Sequence, residues 1–172
     1  MYSSYTSFFK EVAARLTLLG DTPGKVNLIF VDSPEIADSL LNSLATKVCY
    51  PLLLVEWYDE DTTYNGSGYY RELTGAFAVV APQERMTKGL EQSLKVVYDI
   101  TKPAADAIFS LMRQRADSGL LLHQGQPISI GPTASGNWAG ALHNDLYGWR
   151  IEFTWKLPGA VCFNPDLWRP EP

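Results

Sequence analysis

The chain has 172 residues, 46% of them apolar and 19% charged, enough for one domain whose core needs no disulfide staples. Its 14 Lys and Arg against 19 Asp and Glu leave a net charge of −5, which argues against the basic footprint of a duplex-binding protein. Composition also excludes disorder, collagen and a cysteine-rich scaffold, while an aromatic share of 12% favours β-structure and contact surfaces.

Met1 to Tyr5 lacks the basic start and apolar run of a secretory signal, and no run approaches the ~18 consecutive apolar residues of a membrane helix. A soluble chain folded in a cytoplasm is expected, without membrane partners. Cys49 and Cys162 are far apart in apolar company, so buried free thiols are expected ahead of a bridge.

Phe8, Phe9, Val12, Leu16 and Leu19 recur at helical spacing and predict an amphipathic helix over 4–19, stopped by Gly20 to Gly24. Val26 to Val31 reads as a buried strand. Asp32 and Ser33 then offer N-cap oxygens before Pro34 and Glu35, and Ile36, Leu40, Leu41 and Leu44 mark the helix that follows. A second strand is expected over 52–58, introduced by Pro51. The polar stretch from Asp59 to Gly68 reads as a long hairpin connection, and the strand resumes over 70–81. Phe77 and Val79 alternate there with Ala76, Ala78 and Val80, so both faces are apolar and the strand should be central.

The longest helical signal runs over 84–116, with Leu90, Leu94, Val97, Ile100, Ala104, Ile108, Leu111 and Met112 near one stripe. Pro103 removes a backbone donor and should kink or split it near Lys102. Ser118 to Asn144 contains no Asp, Glu, Lys or Arg, so it reads as a loop folded against its own domain or a neighbour. Trp149, Ile151, Phe153, Trp155 and Leu157 then alternate with Arg150, Glu152, Thr154 and Lys156, the period of a half-exposed antiparallel strand. Pro158, Pro165, Pro170 and Pro172 space Phe163, Leu167 and Trp168 in an extended tail.

These elements predict a single α+β domain over 1–158, a mainly antiparallel sheet of four or five strands with helices packed on one face, and an extended C-terminal tail over 159–172.

Catalytic patterns are sparse. Neither G-x-G-x-x-G nor a P-loop occurs, and the two histidines, His123 and His143, offer no zinc spacing. His143 and Asp145 form a weak H-x-D that reads as ordinary polar loop. Asp59, Glu60 and Asp61 invite comparison with an EF-hand, but such a loop would want Gly at Tyr64 and Glu at Tyr70. Ser135 lacks a nucleophile elbow, and neither cysteine has electropositive company. Glu56 and Glu72 are the one carboxylate pair worth naming, and structural pairing with Lys or Arg is the better reading. No catalytic, cofactor-binding or metal residues are assigned, and an enzyme is not expected. The remaining constellation is aromatic: Trp138, Tyr147, Trp149, Trp155, Phe163 and Trp168. It reads as a core face plus a tail, or as a subunit interface, with Trp138, Phe163, Leu167 and Trp168 as the candidate contact residues. The rival reading is a small-molecule or peptide groove lined by Trp138, Tyr147 and Trp149.

The order of elements, with Pro51-Leu52-Leu53-Leu54-Val55-Glu56, Arg71-Glu72-Leu73-Thr74-Gly75-Ala76-Phe77-Ala78-Val79-Val80, the helix from Glu84 and the strand from Tyr147 to Trp155, resembles the small α/β ring subunits of the bacteriophage tail-terminator and tail-completion family. The resemblance implies a non-enzymatic virion component, assembled in the host cytoplasm into a homo-oligomeric ring that is typically sixfold. It implies other tail or neck proteins as partners, no direct nucleic-acid recognition and no cofactor. The long helix and the Pro-rich tail depart from that pattern.

Overall fold

A computed structural model of the chain describes residues 2–32, 41, 43–44, 46–64, 69–83, 90–142 and 145–158. The helix expected around Ile36 and Leu40, His143, Cys162 and the tail residues Phe163, Leu167 and Trp168 lie outside the described residues.

Helix α1 spans Tyr2–Arg15 and buries Phe8, Phe9 and Val12 of the stripe read from the sequence together with Tyr5, and it ends before Leu16 and Leu19, expected to continue it. Strands β1 (Val26–Val31), β2 (Val48–Glu56), β3 (Asp59–Tyr64) and β4 (Tyr69–Pro82) follow. Helix α2 (Leu90–Lys95), a π-helical turn (Val96–Thr101) and helix α3 (Lys102–Asp117) then run in succession. The short strands β5 (Leu122–His123), β6 (Gln126–Pro127) and β7 (Ser129–Ile130) lead to β8 (Ser135–Leu142) and β9 (Leu146–Pro158).

Among the described residues one sheet of seven strands runs β1-β2-β4-β9-β7, with β3 also on β4 and β8 also on β9, and β5 pairs with β6 separately. Of these described pairings only β1 with β2 is parallel. The α+β, mainly antiparallel architecture is therefore the one the periodicity predicts, with the β2, β4 and β9 segments in its middle. The sheet is wider than four or five strands for two reasons. The supposed hairpin connection at Asp59 to Tyr64 is β3, whose six residues pair in register with 69–74 of β4. The charge-free stretch is not a loop but four strands, of which β7 and β8 lie against β9. Charged or Gly- and Ser-rich segments lack the apolar alternation by which strands are recognised, because they form edges that bury little.

The faces of β4 divide as the alternation requires. Phe77 and Val79 join Leu53, Val55, Ile151, Phe153 and Trp155 beneath α1 and α3, which supplies Ala104, Ile108 and Met112. Ala78 and Val80 face the other way, with Ile29, Val31, Leu52, Leu54 and Leu41. Trp155 is fully buried, edge-on to Tyr5 and Phe8, and its indole N–H points to Met112 Sδ at 3.2 Å. Gly75 admits Tyr5: a Cβ there would lie 2.7 Å from the phenol oxygen, which donates to the Glu56 carbonyl.

The long helix is split where expected. Pro103 sits in the first turn of α3, where a missing N–H breaks no bond of that helix. The π turn ahead of it carries a wider i→i+5 spacing and rotates the apolar stripe. Leu94 and Ile100, expected on the buried face, are exposed as a result. Pro51 lies inside β2 at a bulge, where the partner of β1 jumps from Val48 to Leu53 across one residue of β1. Cys49 is a buried free thiol beside this bulge, its Sγ directed at the Gly20 carbonyl.

Candidate functional site

Strand β8 pairs with β9 on one side, and no strand among the described residues pairs with its other side. Its eight residues, Ser-Gly-Asn-Trp-Ala-Gly-Ala-Leu, carry no charge, and Ser135 to Trp138 and Gly140 are exposed. Exposed edges ordinarily carry charge, proline or a bulge that discourages further pairing. The β3 edge does so, with Asp59, Glu60 and Asp61 all exposed. The β8 edge does not, apart from a register shift beyond Ala139.

Gly136, Trp138 and Gly140 fall on one face of β8, the face that carries Trp149 on β9, because Trp138 and Trp149 are register partners. The glycines let two indoles lie against the strand. A Cβ on Gly136 would approach Trp149 Nε1 to 2.8 Å, and one on Gly140 would collide with the Trp138 ring. Tyr147 meets Trp138 edge-on at 6.1 Å, Tyr98 of the π turn meets Trp149 at 6.0 Å, and Lys102 Nζ stands 5.3 Å above the Trp149 ring. The structure thus brings Trp138, Tyr147 and Trp149 together as a band along the uncharged edge. Trp138 remains 37% exposed and Tyr98 50%.

A second uncharged edge lies at the opposite side of the sheet. Among the described residues strand β1 is bonded to β2 alone, an edge rather than the buried strand expected, and its sequence, Val-Asn-Leu-Ile-Phe-Val, has no charge. Phe30 stacks on Trp57 at 4.9 Å, and Trp57 stacks on Tyr2 at 5.3 Å, so this edge too is bordered by rings. Phe30 packs on the helix-covered side of the sheet, the side that also carries Trp149.

Several groups with chemical potential among the described residues are paired within the fold. Glu56 accepts two hydrogen bonds from Arg150, at 2.7 and 2.8 Å, and Glu72 pairs with Lys156 at 2.7 Å, the structural pairing expected for both carboxylates. These contacts hold the Arg150 guanidinium firmly charged, chiefly through Glu56. Glu60 pairs with Arg71, whose hydrogen bond lowers its pKa, so the acidic segment is a guarded edge. Among the described residues no group of three His, Cys, Asp or Glu could hold a metal ion. His123 is buried, its pKa lowered mainly by desolvation, and its Nδ1 lies 3.3 Å from Ser4 Oγ, tying the start of α1 to β5. Glu11 bridges Arg115 and Arg15 between α1 and α3, and the Arg115 hydrogen bond is the main reason its pKa falls to about 2. A cleft of about 500 Å³ lined by Tyr70, Ala116, Pro127, Ile128, Lys156 and Leu157 opens at the end of β9, where the chain continues into the tail.

Of the residues singled out in the sequence, Trp138, Tyr147 and Trp149 sit in the edge band, and Trp155 is core. Tyr98, Gly136, Gly140 and the Tyr2–Trp57–Phe30 stack were not anticipated. The period-two spacing of Gly136, Trp138 and Gly140 is the signal that could have revealed β8. No family model matches the chain, and no curated protein matches its sequence.

Proposed function

We propose that this chain is a non-enzymatic structural subunit that assembles with copies of itself into a ring, of the kind found in the tail or neck of phages and phage-like particles. The observation that carries the reading is the β8 edge: eight uncharged residues, a side that no strand among the described residues pairs with, and the exposed Trp138 ring beside them. A monomer gains nothing from such an edge and risks uncontrolled pairing. A subunit that meets another copy there satisfies its backbone and covers its rings. Paired carboxylates at Glu56 and Glu72 support the absence of acid–base work. The ring form, its place in a virion and its tail or neck partners rest on the order of elements. Phe163, Leu167 and Trp168 remain the proposed anchors of the tail on an adjacent copy.

The test is light scattering and negative-stain microscopy of the purified full chain. A discrete ring is expected, and a monomer at all micromolar concentrations refutes the reading. Truncation after Pro158 examines the tail separately. If the shortened chain assembles as the full one does, the tail takes no part in assembly. If both forms are monomeric and the shortened one merely melts lower, the tail is a brace within one chain.

A further inference from the structure

We infer that the ring seam is a β-sheet junction: β8 of one copy pairs antiparallel with β1 of the next, joining the sheets of adjacent subunits. The inference rests on the assembly reading and names the surfaces that it requires.

A head-to-tail ring needs two different patches on one subunit, complementary to each other and lying on opposite sides. The sheet supplies such a pair. Its order places β1 at one side and β8 at the other, with β2, β4 and β9 between them. The two lengths are comparable, six residues and eight. Neither carries a charge, whereas β3, the edge on the same side as β1, is acidic, and β7 has only two residues. Charge therefore directs pairing away from β3 and leaves β1 and β8 to meet.

Strand direction agrees. Strands β1 and β2 run together, and β4, β9 and β8 reverse in turn, so β8 runs against β1. Continuing the sheet into the next copy without inverting it sets β8 antiparallel to the incoming β1, which forms a regular ladder. The side chains agree as well. Trp138, Trp149 and Tyr98 border β8 on the side covered by α1 and α3, and Phe30, with Trp57 stacked on it from the end of β2, borders β1 on that side. Joining the edges brings Phe30 toward the rings of the β8 band, where exposed Trp138 would lose water contact.

The variant Ser135→Lys with Asn137→Asp puts charge on the edge while matching each cross-strand neighbour within the chain, Glu152 and Arg150. It should melt like the wild type and associate at least about tenfold more weakly by light scattering. Charging β3 further by Thr62→Glu, opposite Arg71, should leave association unchanged. In a Cys162→Ser background, mixing Asp32→Cys and Ser135→Cys proteins with a short bis-maleimide should give a cross-linked pair that neither gives alone, since antiparallel centring of β1 on β8 sets these positions together. If the wild type forms rings and the charged variant forms them equally well, or the mixture gives no cross-link, the seam is overturned and the assembly reading stands. If the wild type is monomeric, both fall. If the charged variant melts lower than the wild type, the cross-linking result decides.

Discussion

Arg150 and Glu56 offer a direct test of whether the acidic residues of the sheet hold the fold or serve some chemistry. They sit on β9 and β2, with β4 between them, so the guanidinium crosses the small Ala78 side chain that is its register partner. The two hydrogen bonds are short and charge-assisted, and the side chains keep only 24% and 18% of their exposure. Charge-assisted bonds contribute about 1.5–3 kcal/mol each when desolvated, and water at this level of exposure reduces that. Removing one partner of a fully buried pair costs about 3–5 kcal/mol. Arg150→Met should therefore cost ~2–3 kcal/mol, leaving the Glu56 charge in a partly dry site. Glu56→Gln should cost less, ~1–2 kcal/mol, because Arg150 retains Glu152 at 3.2 Å. The double variant should show a coupling of about 1–2 kcal/mol. Urea unfolding at pH 7 measures all four proteins, with the midpoint moving and the slope unchanged. A coupling below ~0.5 kcal/mol refutes the structural role, since that is the scatter of independent sites. A Glu56→Gln protein more stable than the wild type would point instead to an acid retained for function at the expense of stability.

Trp155→Ala should destabilise the chain by about 3–5 kcal/mol in urea, since a fully buried indole leaves a large cavity among Tyr5, Phe8 and Phe153. Trp138→Ala should behave differently, shifting the melting midpoint little while reducing oligomer size by light scattering, because the ring is over a third exposed. Gly140→Val should lower the melting temperature by displacing the Trp138 ring, and an unchanged melting temperature would show that the ring has room to move. Glu11→Gln should be less stable than the wild type at neutral pH. Its carboxyl is held at about 2 in the fold against an ordinary 4.5, so the advantage of Glu11 is present above 4.5 and is lost as pH falls through 2. Urea midpoints at pH 7, 4 and 2 measure this, and a difference that persists at pH 2 refutes it.

Periodicity by itself determined the buried skeleton of this protein. The stripe of α1, the two apolar faces of β4 and the alternation of β9 all place residues in the core that the structure finds there, because burial leaves its period in the sequence. Pro103 likewise marked the break before α3, since a missing N–H acts locally wherever it falls. What the tertiary structure alone decided is the edge strands β3 and β8. Both bury few side chains, so they have no apolar period, and only the register offered by β4 and β9 makes them strands. The π turn is a second case, because its extra residue shifts the stripe and turns Leu94 and Ile100 outward, contrary to a uniform helical count. The contact band follows the same logic. Trp138 and Trp149 are far from neighbouring in sequence spacing terms, yet one ladder sets them side by side, and glycines on the same strand give them a surface to lie on. Pairing across a sheet depends on which strands come to adjoin, which no local pattern of residues contains.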